Sequence, residues 1–265
     1  MKIEQRQSLL AATDPSPVRI TNPGGRSSFL FVGDHAGNAI PTGLGALGLG
    51  ADDLNRHIAL DIGISELGAL LASTLAATFI EQRYSRLVVD CNRAKTAVDV
   101  IAAVSDGTCI PGNTDLTEDD RDCRFGEIHV PYHEAIAKAL MRRDAAGLST
   151  VFVALHSFTP RLDGMERPWE VGVLYDGGDT GFATAMLDRL RARGGSDIGD
   201  NQPYRMDGTD YTVPLHCYPL GRPYVELEIR QDMLSTASRR ARSATLLAEA
   251  LLAALGASDL QLSKS

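Results

Sequence analysis

The 265-residue sequence predicts a single α/β domain with a mixed, mostly parallel sheet flanked by helices, on three observations. Short apolar runs alternate with longer Ala/Leu-rich segments of helical character along most of the chain. Several of these runs stop abruptly in polar, chemically capable residues, as strands do at the edge where open α/β sheets hold their ligands. No internal repeat or linker composition divides the chain, and 44% hydrophobic residues suffice for a large core.

Residues 1–27 carry Pro15, Pro17, Pro23 and Gly24-Gly25 and read as an irregular lead-in to the main domain over 28–257. Phe29 to Val32 is a buried strand that delivers Asp34-His35 at its end, and Gly37 and Pro41 confine the following turn. Four glycines between Gly43 and Gly50 keep the chain in loop as far as Asp52-Asp53. These acids suit the start of a helix, predicted over Leu54 to Leu75 with a break near Gly63. Thr78 to Gln82 and Arg86 to Val89 read as strands, the second ending in Asp90-Cys91-Asn92-Arg93. Val98 to Val104, Pro111-Gly112-Asn113 and the acids from Asp115 to Asp122 predict a long surface excursion with some helix. A helix is expected over Glu127 to Ala146 with Pro131 near its start. Thr150 to Leu155 is a strand ending in His156-Ser157, and Val171 to Tyr175 is another. Phe182 to Arg193 is a helix stopped by Gly194-Gly195. Asp200 to Pro223 reads as loop, Tyr224 to Ile229 as a strand alternating with acids, Thr236 to Leu255 as a closing helix, and 258–265 as a flexible tail.

A net charge of −8 argues against a nucleic-acid partner, which clustered Lys and Arg would bind. No apolar window reaches the length of a membrane span, and the amino terminus has no secretory pattern. The cysteines Cys91, Cys109, Cys123 and Cys217 lack CxxC spacing and read as reduced thiols, so a cytoplasmic location is expected.

Four predicted strand ends carry reactive groups: Asp34-His35, Asp90-Asn92-Arg93, His156-Ser157 and Glu226 or Glu228. Two histidines and a carboxylate from separate elements match a catalytic zinc site with one position open. A glutamate can then take a proton from water, and an arginine can hold an anionic substrate or developing oxyanion. His129 and His133 have i, i+4 spacing but lack the His-Glu-x-x-His order of a helical zinc motif. Arg161, Arg167 and Trp169 follow His156 in a loop that can close over substrate.

In chain order, Asp34-His35-Ala36-Gly37-Asn38-Ala39-Ile40-Pro41, Asp61, Ser85-Arg86-Leu87-Val88-Val89-Asp90-Cys91-Asn92-Arg93, Pro131-Tyr132-His133, His156-Ser157-Phe158 and Glu228-Ile229-Arg230-Gln231-Asp232 resemble the N-formylglutamate amidohydrolase family. The resemblance spans about residues 28 to 234. It implies a zinc-carboxypeptidase/phosphorylase-like fold, hydrolysis of N-formyl-L-glutamate or another N-acyl amino acid, and a small-molecule acyl-amino-acid substrate. Kinship with zinc carboxypeptidases and aspartoacylases is also implied by Asp90-Cys91-Asn92-Arg93, which resembles their Asp-x-Asn-Arg element.

Those more distant enzymes use His-x-x-Glu for two ligands, whereas Asn38 stands three residues after His35, and a neutral amide is the poorer zinc ligand. The expected ligands of zinc, or another divalent metal, are therefore His35, His156 and a carboxylate. Asp61 comes ahead of Asp34 for that place. Glu228 is the expected general base, with Glu226 its rival on the same strand face. Arg93 is assigned to catalysis and, with Asn92, His133, Ser157, Arg161 and Arg167, to substrate binding. An amidase or peptidase of other specificity on the same scaffold, and a metal-binding homologue without catalysis, fit the same residues.

Overall fold

The computed structural model describes residues 8–193 and 197–257, so Gly194-Gly195 and the 258–265 tail lie outside the described residues. Seven strands form the central sheet: β1 (Val18–Thr21), β2 (Phe29–Gly33), β3 (Thr78–Gln82), β4 (Val151–Phe158), β5 (Val171–Leu174), β6 (Ile198–Asp200) and β7 (Tyr224–Arg230). Their order is β1-β3-β2-β4-β7-β5-β6. The β2–β3, β2–β4, β4–β7 and β5–β6 pairs are parallel, while β1–β3 and β5–β7 are antiparallel. This is the mixed, mostly parallel sheet expected from the alternation of elements.

Both faces are covered, which explains why β2, β4 and β5 are buried along their whole length. Helices α1 (Ile64–Thr74), α4 (Gly181–Ala192) and α6 (Ala237–Ala257) press Leu67, Leu71, Met186, Leu247 and Leu251 onto the face formed by Phe29, Val153 and Leu227. On the other face, α3 (Val130–Ala145) packs Tyr132, Ile136 and Leu140 against Leu30, Ile80 and Phe152. Between β3 and α3 lies α2 (Glu118–Arg124), and between β6 and β7 lies the short α5 (Thr212–His216).

Four local expectations are corrected. The lead-in is not wholly irregular, because Val18–Thr21 pairs with β3 as an edge strand. The helix predicted from Leu54 begins only at Ile64; before it, Asp53–Asn55 forms a single 3-10 turn. Arg86 to Val89 is buried turn rather than strand, because distant side chains serve its backbone: Asn113 donates to the Leu87 carbonyl (2.8 Å) and Arg124 to that of Val88 (3.3 Å). Finally, helix starts at Glu118 behind a Thr117/Asp120 capping box, and a π turn over Phe125–His129 leads into Pro131, which cannot donate an intrahelical bond. All four cysteines are free thiols, and no helix among the described residues is long and apolar enough to cross a membrane.

Candidate active site

Strands β2, β4 and β7 lie side by side, so groups at their carboxyl ends converge. Asp34 and His35 follow directly on β2, and Glu228 is in register with His156 across the β4–β7 pair. Alternation sends His156, Glu226 and Glu228 to the face that also holds Phe152 and Ala154. A cavity of about 320 Å³ opens above them, a size suited to a small ligand.

The turn after β2 is fixed by Gly37, where a Cβ would collide with the Arg83 backbone. Asp61 lies not in a helix but in the turn before α1: its N–H donates to the His35 carbonyl (2.8 Å). Gly63 makes this turn possible, with φ +84° and a notional Cβ 2.6 Å from Leu234 Cβ. The result is a close group in which Asp61 Oδ2 stands 2.9 Å from His156 Nδ1 and 3.4 Å from His35 Nδ1. The outer nitrogen of each ring faces another acid. His35 Nε2 is 2.8 Å from Asp90 Oδ1, and His156 Nε2 is 3.3 Å from Asp34 Oδ2. Asp34 is held in turn by hydroxyl donors, Tyr132 at 2.7 Å and Thr212 at 3.0 Å. His35, Asp61 and His156 are buried, offer one ligand atom each within 4.8 Å of one another, and could hold a metal ion.

The electrostatics fit a cation here. The His35 Nε2 bond to Asp90 favours the tautomer that leaves its Nδ1 lone pair facing Asp61, and that Nδ1 has no hydrogen-bond partner; His156 instead bonds Asp61 through Nδ1 (2.9 Å), leaving its Nε2 and Asp34 Oδ2 without hydrogen-bond partners. Burial and the Arg86 charge oppose a proton on His35, yet Asp90 and Asp61 raise its pKa. Burial opposes a proton on His156 too, but the neighbouring Asp34 and Asp61 carboxylates push its pKa well above the ordinary value. Asp34 is held down to about 2, His156 outweighing the effect of burial. Arg86 binds Asp90 Oδ2 at 2.7 Å and stands 3.5 Å from Asp61 Oδ1, tying the two acids together. On the neighbouring strand β7, burial pushes Glu226 and Glu228 up to about 8, with His156 opposing in both. Each has an Oε2 without a hydrogen-bond partner.

The residues expected around substrate separate into two groups. Asn92, Arg93 and Ser157 line the cavity. Asn92 is nevertheless committed to protein, donating to Asp210 (3.1 Å) and accepting from the Tyr211 and Thr212 N–H groups (3.0 and 2.9 Å). Ser157 Oγ donates to the Ile62 carbonyl (3.0 Å). Arg93 bonds Asp99 through Nε (3.1 Å) and the Asn92 carbonyl through one Nη (3.0 Å). His133, Arg161 and Arg167 do not line the cavity. The expected substrate-facing role of His133 is corrected: its Nε2 meets the Cys91 carbonyl (2.9 Å) and its Nδ1 meets His216 (3.0 Å). Arg161 sits exposed in a hairpin beside Glu166. Arg167 binds the Tyr204 hydroxyl (2.8 Å) and stacks over that ring, so its link to the cavity is indirect. Asn38 turns away to the Leu54 carbonyl (3.0 Å). Arg86 and Tyr132 escaped the sequence reading, although both lie inside the quoted motifs; a charge embedded in the apolar run before Asp90 is the signal that marked Arg86.

No curated protein matches the chain in sequence. Among solved structures, the gene product Atu2144 from Agrobacterium tumefaciens is 37% identical and superposes with a TM-score of 0.90, over 94% of this chain and 98% of that one. An N-formylglutamate amidohydrolase from Ralstonia eutropha JMP134 is 18% identical with a TM-score of 0.62, over 92% and 97%, a likeness of fold. The family model of N-formylglutamate amidohydrolase matches residues 27–235. That span opens just before the strand leading to Asp34-His35 and closes just after the one bearing Glu228, taking in every side chain of the cluster; the chain is an amidohydrolase and belongs to the N-formylglutamate amidohydrolase family.

Proposed function

We propose that the protein is a metal-dependent deformylase of N-formyl amino acids, with N-formyl-L-glutamate as its substrate. The observation that carries this reading is the convergence of His35, Asp61 and His156, each imidazole backed by a second carboxylate. His35 Nδ1, His156 Nδ1 and Asp61 Oδ2 would hold the metal, and two nitrogens with one carboxylate oxygen favour zinc. When bound, it supplies Lewis acidity that polarises the formyl carbonyl and makes water a better nucleophile.

The remaining chemistry belongs to the chain. Glu228 takes a proton from the attacking water, for which its raised pKa suits it near neutrality, and passes a proton to the departing nitrogen. The C–O bond to water forms, the C–N bond breaks, and formate and the free amino acid leave. Arg86 fixes Asp61 and Asp90 against the histidines, while Arg93 receives the α-carboxylate. Formate release from N-formyl-L-glutamate tests the reading. Stripping metal abolishes it, restoring zinc recovers it, and Glu228→Gln lowers kcat by roughly 10²–10⁴-fold with metal content unchanged. Undiminished turnover by metal-free protein, or amino-acid release from peptides with no formate from the formyl substrate, refutes it.

A further inference from the structure

Resting on the deformylase reading, we infer that Arg205 is the residue that selects an acidic side chain on the substrate. A dicarboxylic substrate brings two anionic groups, and the cavity must meet both. Of its three guanidinium groups, Arg86 is occupied by Asp90 and Asp61. Arg93 is anchored by Asp99 and the Asn92 carbonyl, a fixed position suited to the α-carboxylate that every substrate of this kind shares. Arg205 lines the same cavity, is exposed, and has no hydrogen bond or ion pair with any described residue.

Its backbone, in contrast, is held on both sides. Tyr204 is bound through its hydroxyl by Arg167 and stacked under that guanidinium at 4.8 Å. Met206 is 1% exposed and packs in the core with Val213 and Tyr224. Further along, Asp210 Oδ2 accepts from the Asp207 N–H (2.9 Å), and its Oδ1 accepts from Asn92 (3.1 Å). A fixed backbone presenting an unpaired guanidinium at the cavity is an arrangement for a carboxylate that arrives with the ligand, since Arg–carboxylate pairs combine charge with a forked geometry. Arg205 is thus assigned to specificity and takes no part in bond cleavage.

The test compares the parent with Arg205→Gln on N-formyl-L-glutamate and N-formyl-L-glutamine, and measures binding of the products L-glutamate and L-glutamine by calorimetry. The variant loses about tenfold in kcat/KM for the glutamate substrate, mostly through KM. The glutamine substrate stays within about twofold, so the preference collapses. Glutamate binding weakens in parallel, a readout that does not depend on turnover. An unchanged ratio between the two substrates, or equal losses on both, overturns the assignment while leaving the deformylase reading intact. Absence of formate from either substrate with the parent overturns the deformylase reading itself, and if the parent and variant then also bind the two amino acids alike, the Arg205 assignment falls separately.

Discussion

The molecule has two groups of histidines, all buried except the partly exposed His216, in opposite electrostatic settings. His35 and His156 are ringed by Asp34, Asp61 and Asp90, and their pKa values rise despite burial. His129, His133 and His216 lie behind Cys91-Asn92-Arg93 among rings, with Phe125 stacked on His129 at 3.8 Å and Tyr211 edge-on to His133 at 5.0 Å. Burial pushes all three down to about 4, so they stay neutral. A neutral imidazole serves there as a directed donor: His129 Nε2–H to the Arg93 carbonyl (3.0 Å), His133 Nε2–H to that of Cys91 (2.9 Å), and His216 Nε2–H to His133 Nδ1 (3.0 Å). The acids around one group favour positive charge on it, while the other group braces the loop that carries Arg93. Neighbouring carboxylates, rather than burial or residue type, make the difference.

Substituting one member of each group tests the division most severely. His156→Ala removes a proposed metal ligand, and kcat/KM on the formyl substrate should fall by about 10³-fold or more, with loss of bound metal by elemental analysis. His133→Gln keeps a donor for the Cys91 carbonyl and should retain the parent's metal content. Equal metal loss in both variants would erase the distinction between the groups. A smaller effect is expected one step outward from the ligands. Asp90→Asn leaves a hydrogen-bond partner for His35 but removes the charge behind it, so metal affinity should weaken about 10–100-fold in a chelator competition. Unaltered affinity would show that Asp90 only orients the loop.

The sequence made one side of this comparison more legible than the other. Period two in Tyr224–Arg230 sets Glu226 and Glu228 on one face, and the apolar run before Asp34-His35 marks the end of β2, whereas β4 continues two residues past His156 to Phe158. Hidden from it were contacts between distant residues, such as Asp90 on His35 and Asp34 on His156, because no local pattern encodes which acid meets which ring. The same limit explains the misread Arg86 to Val89, whose apolar composition looks strand-like although side chains of Asn113 and Arg124 satisfy its backbone. Val18–Thr21 was masked by flanking prolines and by its four-residue length at the sheet edge. His129 and His133 were visible as a helical pair, but their role depends on the Cys91 and Arg93 carbonyls and on His216, which belongs to a stretch read as loop.

The smallest expected effect isolates the neutral group through pH. His216 has its folded pKa lowered to about 4 from an unfolded value near 6.5, so between these values the unfolded chain binds a proton that the folded chain resists. Its contribution is fully present above about 6.5 and is lost as pH falls towards 4. Histidines 35 and 156 have the opposite sign in metal-free protein: their raised values give stability present below the unfolded pKa and lost as pH rises. Total stability therefore mixes opposing slopes, and the difference between parent and a variant is the cleaner measure. His216→Gln keeps an N–H for His133 Nδ1 but cannot titrate. Relative to this variant, the parent should lose about 1–2 kcal/mol of unfolding free energy between pH 7 and pH 5, read from urea denaturation of metal-free samples. A difference that stays constant over that interval would mean that His216 takes up its proton as readily in the folded protein as in the unfolded chain, and the contrast between the two histidine groups would narrow to His129 and His133.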